Sequence, residues 1–416
     1  MLEMLSISKC GAMTQSAPRG GRGLSRAANK VGLRRHSWRR ARHRFLGSHR
    51  RDRHAYVLER PAFDMKQTRQ RIIRSGLDAL HVTGAHRLLR PIFAGVGNIF
   101  MLHHVRPRRD VAFQPNRHLE ITPDFLRATL KHVRDLGIDI VTLDEMQRRL
   151  AARDLSRRFV AFTLDDGYRD NRDHAAPVMR EFGAPFTVYV TTDFAEGVGR
   201  LWWVALERVV ATADTVDVII DRMATRLDTA TLEGKREAFA ILHDWLRGLP
   251  DSAALRREMT SLCLRHGVDE NAISRELCLS WDELKAFAEE PLLTIGAHTL
   301  THDNLAKQSE ASAMHEITAN RTDIESALQR QVAHLAYPYG DKFAAGPREF
   351  ALAKRAGFAT AVTTRPGMVF AGHAAHPTAL PRISLNGNYQ DARFLPILTS
   401  GAATALWNRF RRLDVA

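Results

Sequence analysis

The 416-residue chain is 44% hydrophobic and 26% charged, a globular balance that excludes a wholly disordered protein. Its three cysteines are too scattered for a disulfide framework or a cysteine zinc site, and no apolar run reaches the roughly 18–20 residues of a membrane-crossing helix. The net charge of +15 is concentrated in residues 1–64, which hold 15 Lys/Arg against 4 Asp/Glu, while the remainder holds 46 against 42. An electrostatic nucleic-acid footprint over the body is thereby excluded, and no specific nucleic-acid partner is expected.

Residues 1–64 are rich in Arg, Gly and Ser without sustained periodicity, so they read as a disordered extension. They lack the apolar core of a secretory signal, which favours a cytoplasmic location. From Met65 to about Leu89 the apolar positions Ile72, Ile73, Leu77, Leu80, Leu88 and Leu89 predict a basic amphipathic helix within a lead-in over 65–97. It is either a solvated face or a peripheral membrane contact. Strand and helix signals then alternate. Asn98–His104 reads as a buried strand. Thr122 followed by Pro123 opens a helix, and Thr142-x-x-Glu145 opens another. Phe159–Leu164, Phe186–Val190, Leu292–Ala297, Val332–Tyr337 and Thr360–Thr364 read as strands, with helices between them. Residues from about 200 to 278 break this rhythm and read as an inserted helical subdomain. Six or seven β/α units over 98–395 imply an α/β fold, a closed or nearly closed barrel with its chemistry at the strand C-terminal ends. Residues 396–416 are left as a tail, and the oligomeric state is unreadable.

Three polar clusters fall at predicted strand ends. In Thr163-Leu164-Asp165-Asp166-Gly167, adjacent carboxylates leave a strand in different directions, so one can hold a metal while the other takes a proton; Asp-Asp-Gly can equally be only a turn. His298-Thr299-Leu300-Thr301-His302 places two histidines four apart, close enough to reach one ion, and with Asp166 they make the open ligand set of a catalytic metal site. With nineteen histidines in the chain, a chance pair is the competing reading. Tyr337-Pro338-Tyr339-Gly340 suits the edge of a sugar groove, or an ordinary strand-ending turn.

In this order the clusters resemble the NodB-type polysaccharide deacetylases, carbohydrate esterase family 4. The resemblance runs from about His103 to Leu385 and includes the branch acting on poly-N-acetylglucosamine and chitooligosaccharides. It implies a distorted (β/α)₇ barrel and a hydrolase removing N-acetyl groups from an amino-sugar polymer or oligosaccharide. It implies Asp165 as general base; Asp166, His298 and His302 as ligands of one divalent ion, zinc first, cobalt or nickel as alternatives; and the Tyr339 N–H as oxyanion donor beside Tyr337 and Pro338. Two positions depart from the pattern. Ala336 and Tyr337 stand where an arginine commonly precedes the Pro-Tyr pair, so Arg382 is the candidate to orient the base, unless it is a surface charge. No C-terminal Leu-x-His is present. Met101-Leu102-His103-His104-Val105 resembles the Tyr-His-x-Val segment of the poly-N-acetylglucosamine branch, which makes His103 the general acid and His104 structural. The alternatives are hydrolysis of another small N-acyl or ureide amide on the same fold, and a catalytically weak carbohydrate-binding protein.

Overall fold

The structure, a computed structural model, describes residues 61–413, with side chains from Thr68 onward. The expected disordered extension lies outside the described residues up to position 60.

Seven parallel strands close into a barrel: β1 Gly97–Leu102, β2 Phe159–Leu164, β3 Phe186–Val190, β4 Leu293–Ala297, β5 His334–Ala336, β6 Thr360–Pro366 and β7 Leu380–Ser384. Each pairs with its sequence neighbours, and β7 returns to β1 through Phe100↔Ile383 and Met101↔Ser384. This is the closed barrel the β/α alternation predicted. The strands are hydrophobic on both faces because both faces are covered. Phe100, Leu102, Phe162 and Leu164 belong to the cluster packed under the surrounding helices. Their alternates Ile99 and Ala161 cluster instead with Tyr189, Ala336, Val362 and Leu380, filling the barrel from six strands.

The helix signals hold where caps were recognised. Thr122 accepts from the Phe125 N–H at 3.2 Å, and Thr142 from the Glu145 N–H at 3.1 Å. Three expectations are corrected. The lead-in is two helices, α1 Pro61–Thr83 and α2 Ala85–Phe93, separated by Gly84 at φ 66°, a conformation that glycine adopts without a Cβ penalty. The C-terminal segment is not a loose tail: Leu395–Thr399 and Ala402–Trp407 are helical, and Ile397 and Ala402 pack on Leu77 and Leu80 of α1. The insertion is not all helix. Between α3 Trp202–Thr212 and α4 Leu232–Gly248 lies an antiparallel hairpin, Thr215–Ile220 with Met223–Asp228. Its buried Val216 and Val218 carry the two-residue period, but its turn is Asp221-Arg222 at φ 50° and 69°, without the Gly or Asn that normally announces such a turn. Helices α5 Ser252–Arg265 and α6 Glu270–Leu277 complete the insertion, which has its own core around Trp203, Leu206, Phe239, Leu242, Met259 and Ile273.

The segment after β1 fastens the insertion to the barrel. Arg109 binds both Glu120 (2.6 Å) and Glu207 of α3 (2.9 Å), and the Asn116 side-chain amide donates to the Trp203 carbonyl and to Glu207, each at 2.9 Å.

Closure between β1 and β2 is tight at Gly97, where an added Cβ would lie 2.4 Å from the Phe159 carbonyl oxygen and ring. Gly97→Ala should therefore cost about 1–3 kcal/mol, the usual range for overpacking, and lower the urea midpoint. A midpoint equal to wild type would contradict this account of closure.

Candidate active site

Strand β2 ends at Leu164 and delivers both aspartates to the mouth of the barrel, where each is only 2% exposed. Asp165 meets Arg382 from β7 in a bidentate pair, Nη1 to Oδ1 and Nη2 to Oδ2, both 2.7 Å. Arg382 also donates to the Thr163 hydroxyl at 3.1 Å and from Nε to the Thr363 carbonyl at 2.8 Å. At 1% exposure it is a barrel-interior group, not a surface charge. Burial works to raise the pKa of the Asp165 carboxyl, but Arg382 outweighs it and holds the group below the ordinary carboxylate value.

Asp166 turns the other way because its backbone is left-handed, φ 74°, and Gly167 follows at φ 63°. Its Oδ1 faces Nε2 of both His298 and His302 at 3.3 Å. The three ligand atoms lie within 4.8 Å of one another. His298 uses Nδ1 to donate to the Ala336 carbonyl at 2.7 Å, which leaves Nε2 as a lone pair. Among the described residues no donor satisfies Asp166 Oδ1, although it is buried. Lone pairs converging on an unsatisfied carboxylate oxygen repel one another unless a cation lies among them, so this donor set fits a divalent ion of the zinc type.

His103 sits just past β1 with Nε2 3.9 Å from Asp165 Oδ2, its side chain 16% exposed. Burial lowers its pKa; the pull of Asp166 and Asp165 only partly offsets this. His104 is turned away and buried. Its Nδ1 contacts Asp170 at 2.6 Å, and Tyr168 stacks on its ring with 3.6 Å between centroids.

Tyr339, from the third cluster, lies after β5 at φ 61°. Its N–H has no acceptor among the described residues, while its hydroxyl accepts from the Trp202 indole at 2.9 Å. Burial pushes the Tyr339 phenol up to about 12, so it stays protonated. Tyr337 corrects an expectation: it is fully buried, donates to the Thr378 carbonyl at 2.8 Å and packs on Phe350, so its ring cannot edge a sugar groove. Pro338 is likewise buried and shapes the turn into Tyr339 through its carbonyl, which accepts from the Gly340 N–H.

The structure thus brings together Asp165, Asp166, His298, His302, His103, Arg382 and the Tyr339 backbone. Sequence reasoning missed the supports. Asp170 also takes the Val105 N–H at 3.1 Å, and Asn171 donates to the His103 carbonyl at 2.8 Å, so the segment after Asp-Asp-Gly clamps the end of β1. The signal was their place in the same polar run, Thr163 to Asn171. Trp202 and Trp203 fall in the stretch that the sequence marks only as an inserted helical subdomain, yet Trp203 lies against His302, 5.1 Å between ring centroids.

Residues 256–361 match a family model described as polysaccharide deacetylase. No curated protein matches. Among solved structures, similarity is found to Streptococcus pyogenes deacetylase PplD in complex with acetate (17% identity, 70% of this chain and 92% of that one, TM-score 0.46). It is also found to IcaB from Ammonifex degensii (20%, 65% and 84%, TM-score 0.40) and to the BpsB deacetylase domain from Bordetella bronchiseptica (12%, 69% and 94%, TM-score 0.39).

The donor geometry predicts one tightly held zinc or cobalt ion per chain by calorimetric titration, and loss of that binding in His298→Ala. Undiminished metal uptake by His298→Ala would remove it from the ligand set.

Proposed function

We propose that the chain is a NodB-type polysaccharide deacetylase and that it hydrolyses N-acetyl groups on an N-acetylglucosamine-type oligomer or polymer. The observation that carries this reading is the pairing of Asp165 with Arg382 directly beside the Asp166–His298–His302 donor set, with His103 facing the same carboxylate. Zinc is the preferred ion; when bound, a divalent ion there supplies Lewis-acid polarisation of the acetyl carbonyl and acidifies the attacking water.

Asp165 is the base. Arg382 keeps it ionised and fixes the plane of its carboxylate, leaving lone pairs free to take the water's proton. The Tyr339 N–H, free of any acceptor among the described residues, donates to the oxygen that gains charge in the tetrahedral adduct; such a donor is typically worth about 10²–10³ in rate. The departing amine must be protonated, because a free amide anion is too basic to leave. With its pKa lowered by burial, the His103 imidazole is neutral at pH 7 and has to receive the proton that it delivers. Asp165 Oδ2 is the adjacent source. The proton then passes from water to Asp165, to His103, to the amine, as acetate forms.

Asp165→Asn should cut acetate release from N-acetylglucosamine oligomers by at least about 10³-fold while leaving metal binding intact. An unchanged rate would overturn the assignment. Release only from small N-acyl or ureide compounds would move the reading to that other class of amide.

Peripheral membrane contact belongs to the same proposal. No helix among the described residues is long and apolar enough to cross a membrane. However, Val82, Leu88, Ile92, Trp407 and Phe410 are all exposed on elements that touch one another. Arg69 lies over the Trp407 ring, and Arg412 donates to the Ile92 carbonyl. Arg87, Arg90, Arg409 and Arg411 are exposed around them with no carboxylate partner among the described residues. An anionic lipid surface complements both features, at about 1 kcal/mol per basic residue near the surface. This face adjoins the start of β1, so the barrel mouth would point away from the lipid. The chain should co-sediment with phosphatidylglycerol vesicles and not with phosphatidylcholine vesicles, and Leu88→Glu should reduce that binding. Equal partition to both lipids would sink the idea.

A further inference from the structure

Helix α5 of the insertion has two unlike faces. Met259, Leu262 and Cys263 pack into the insertion's core. Arg257, Thr260, Ser261 and Leu264 recur at the spacing of a single helical face. With Arg200, just before α3, and Arg256, they line an open groove of about 580 Å³. No carboxylate lines this groove.

Its cationic groups are only partly matched. Arg256 gives Nη1 to both oxygens of Asp303, at 2.9 and 2.8 Å. Arg200 donates to the Thr260 hydroxyl at 3.0 Å, and that hydroxyl donates in turn to Glu270 at 2.9 Å. Arg200 and Arg257 are exposed and have no carboxylate partner among the described residues. Arg265, one turn on from Ser261, donates to the Ser261 Oγ at 2.7 Å, so the Ser261 hydroxyl hydrogen is left to donate elsewhere. Asp303 and Glu270 thus stand against the four guanidiniums of Arg200, Arg256, Arg257 and Arg265. The adjoining cavity, past His302 and Tyr339, is different. Arg247 is paired there with Asp341, Lys307 donates to the Arg247 and Leu249 carbonyls, and Asp193, Asp251 and Glu316 line the same wall. Charge is balanced in the cavity and in excess in the groove.

We propose that this groove is an anion site that takes a phosphate group. Guanidinium forks match the oxygens of a phosphate in pairs, and a phosphate monoester brings about −1.5 to −2 charge at pH 7 with three acceptor oxygens. That suits several guanidiniums and a hydroxyl donor around one open space. A neutral ligand would leave the excess charge unanswered, and the exposed Leu264 alone offers too little for an apolar one. The site stands independently of the deacetylase reading. Its ligand reaches the protein as soluble phosphate or as a phospholipid headgroup. The surface assigned above to anionic lipid lies on other elements, α1, α2 and the C-terminal helices, so soluble phosphate is the expected source.

The test titrates inorganic phosphate calorimetrically into the full chain, beside the double variant Arg200→Ala/Arg257→Ala, with thermal melts to confirm folding. The expected result is one phosphate per chain with a dissociation constant below about 1 mM in about 20 mM salt, weakened several-fold in about 0.2 M salt. The double variant should bind at least about tenfold more weakly, the loss of one hydrogen bond to a charged group. If it fails to fold, the exposed Arg257→Ala alone carries the test, with a loss of about threefold or more. No binding at about 10 mM phosphate, or a constant unchanged by the variant, overturns the site. The same variant is then sedimented with phosphatidylglycerol vesicles. Vesicle binding equal to wild type supports the soluble source, and its loss overturns that source in favour of a lipid headgroup.

Discussion

A guanidinium and a carboxylate face each other inside the barrel with almost no contact with water. Taking such charges out of solvent costs several kcal/mol per ion, and their attraction repays this only when the geometry is close to ideal and the spare hydrogen-bonding capacity is met. Here both oxygens of Asp165 are used, and Arg382 spends two further donors on Thr163 and Thr363. The barrel has to close for this to happen. Arg382 comes from the last strand and Asp165 from the second, and they meet only because the first strand joins both neighbours. The ion pair therefore couples ring closure to the orientation of the proposed base.

The metal donors depend on the same ring from the other side. His298 leaves β4, its Nδ1 is fixed by the last carbonyl of β5, and its backbone N–H is taken by the Asn320 side chain. Asn320 in turn donates to the Val190 carbonyl at the end of β3. Three adjacent strands thus lock one imidazole. The insertion contributes from above, with Trp203 against His302 and Trp202 on Tyr339. It is tied down by Arg109 and Asn116 from the segment following β1.

Much of this was legible in the chain because parallel β/α units write a strong local code. Buried strands are continuous apolar runs, caps such as Thr122 and Thr142 are explicit, and polar clusters fall where strands stop. What was illegible depended on tertiary pairing. Arg382 could be named as a candidate, but nothing local separates a barrel-interior arginine from one on the surface. The hairpin at 215–228 was hidden by an Asp-Arg turn, and Tyr337 was misjudged because strand parity, which sends it outward and Tyr339 onward to the mouth, is fixed only by the register of β5. Asp170 and Asn171 were in view as part of a polar run, yet their partners lie more than sixty positions earlier.

Four non-glycine residues of the site, Asp166, Thr299, His302 and Tyr339, hold left-handed backbone at φ 60–74°. Each such residue costs of order 1–3 kcal/mol when the surroundings impose it. The mouth of the barrel is therefore a region where local preference and global fold disagree, and the disagreement is concentrated on the metal donor set, the loop that carries His302 and the Tyr339 turn. Glycine would hold the same backbone with less strain, so these four positions are where the chain gives up stability, and that limits how far the barrel can be thermally hardened without dismantling its proposed chemistry.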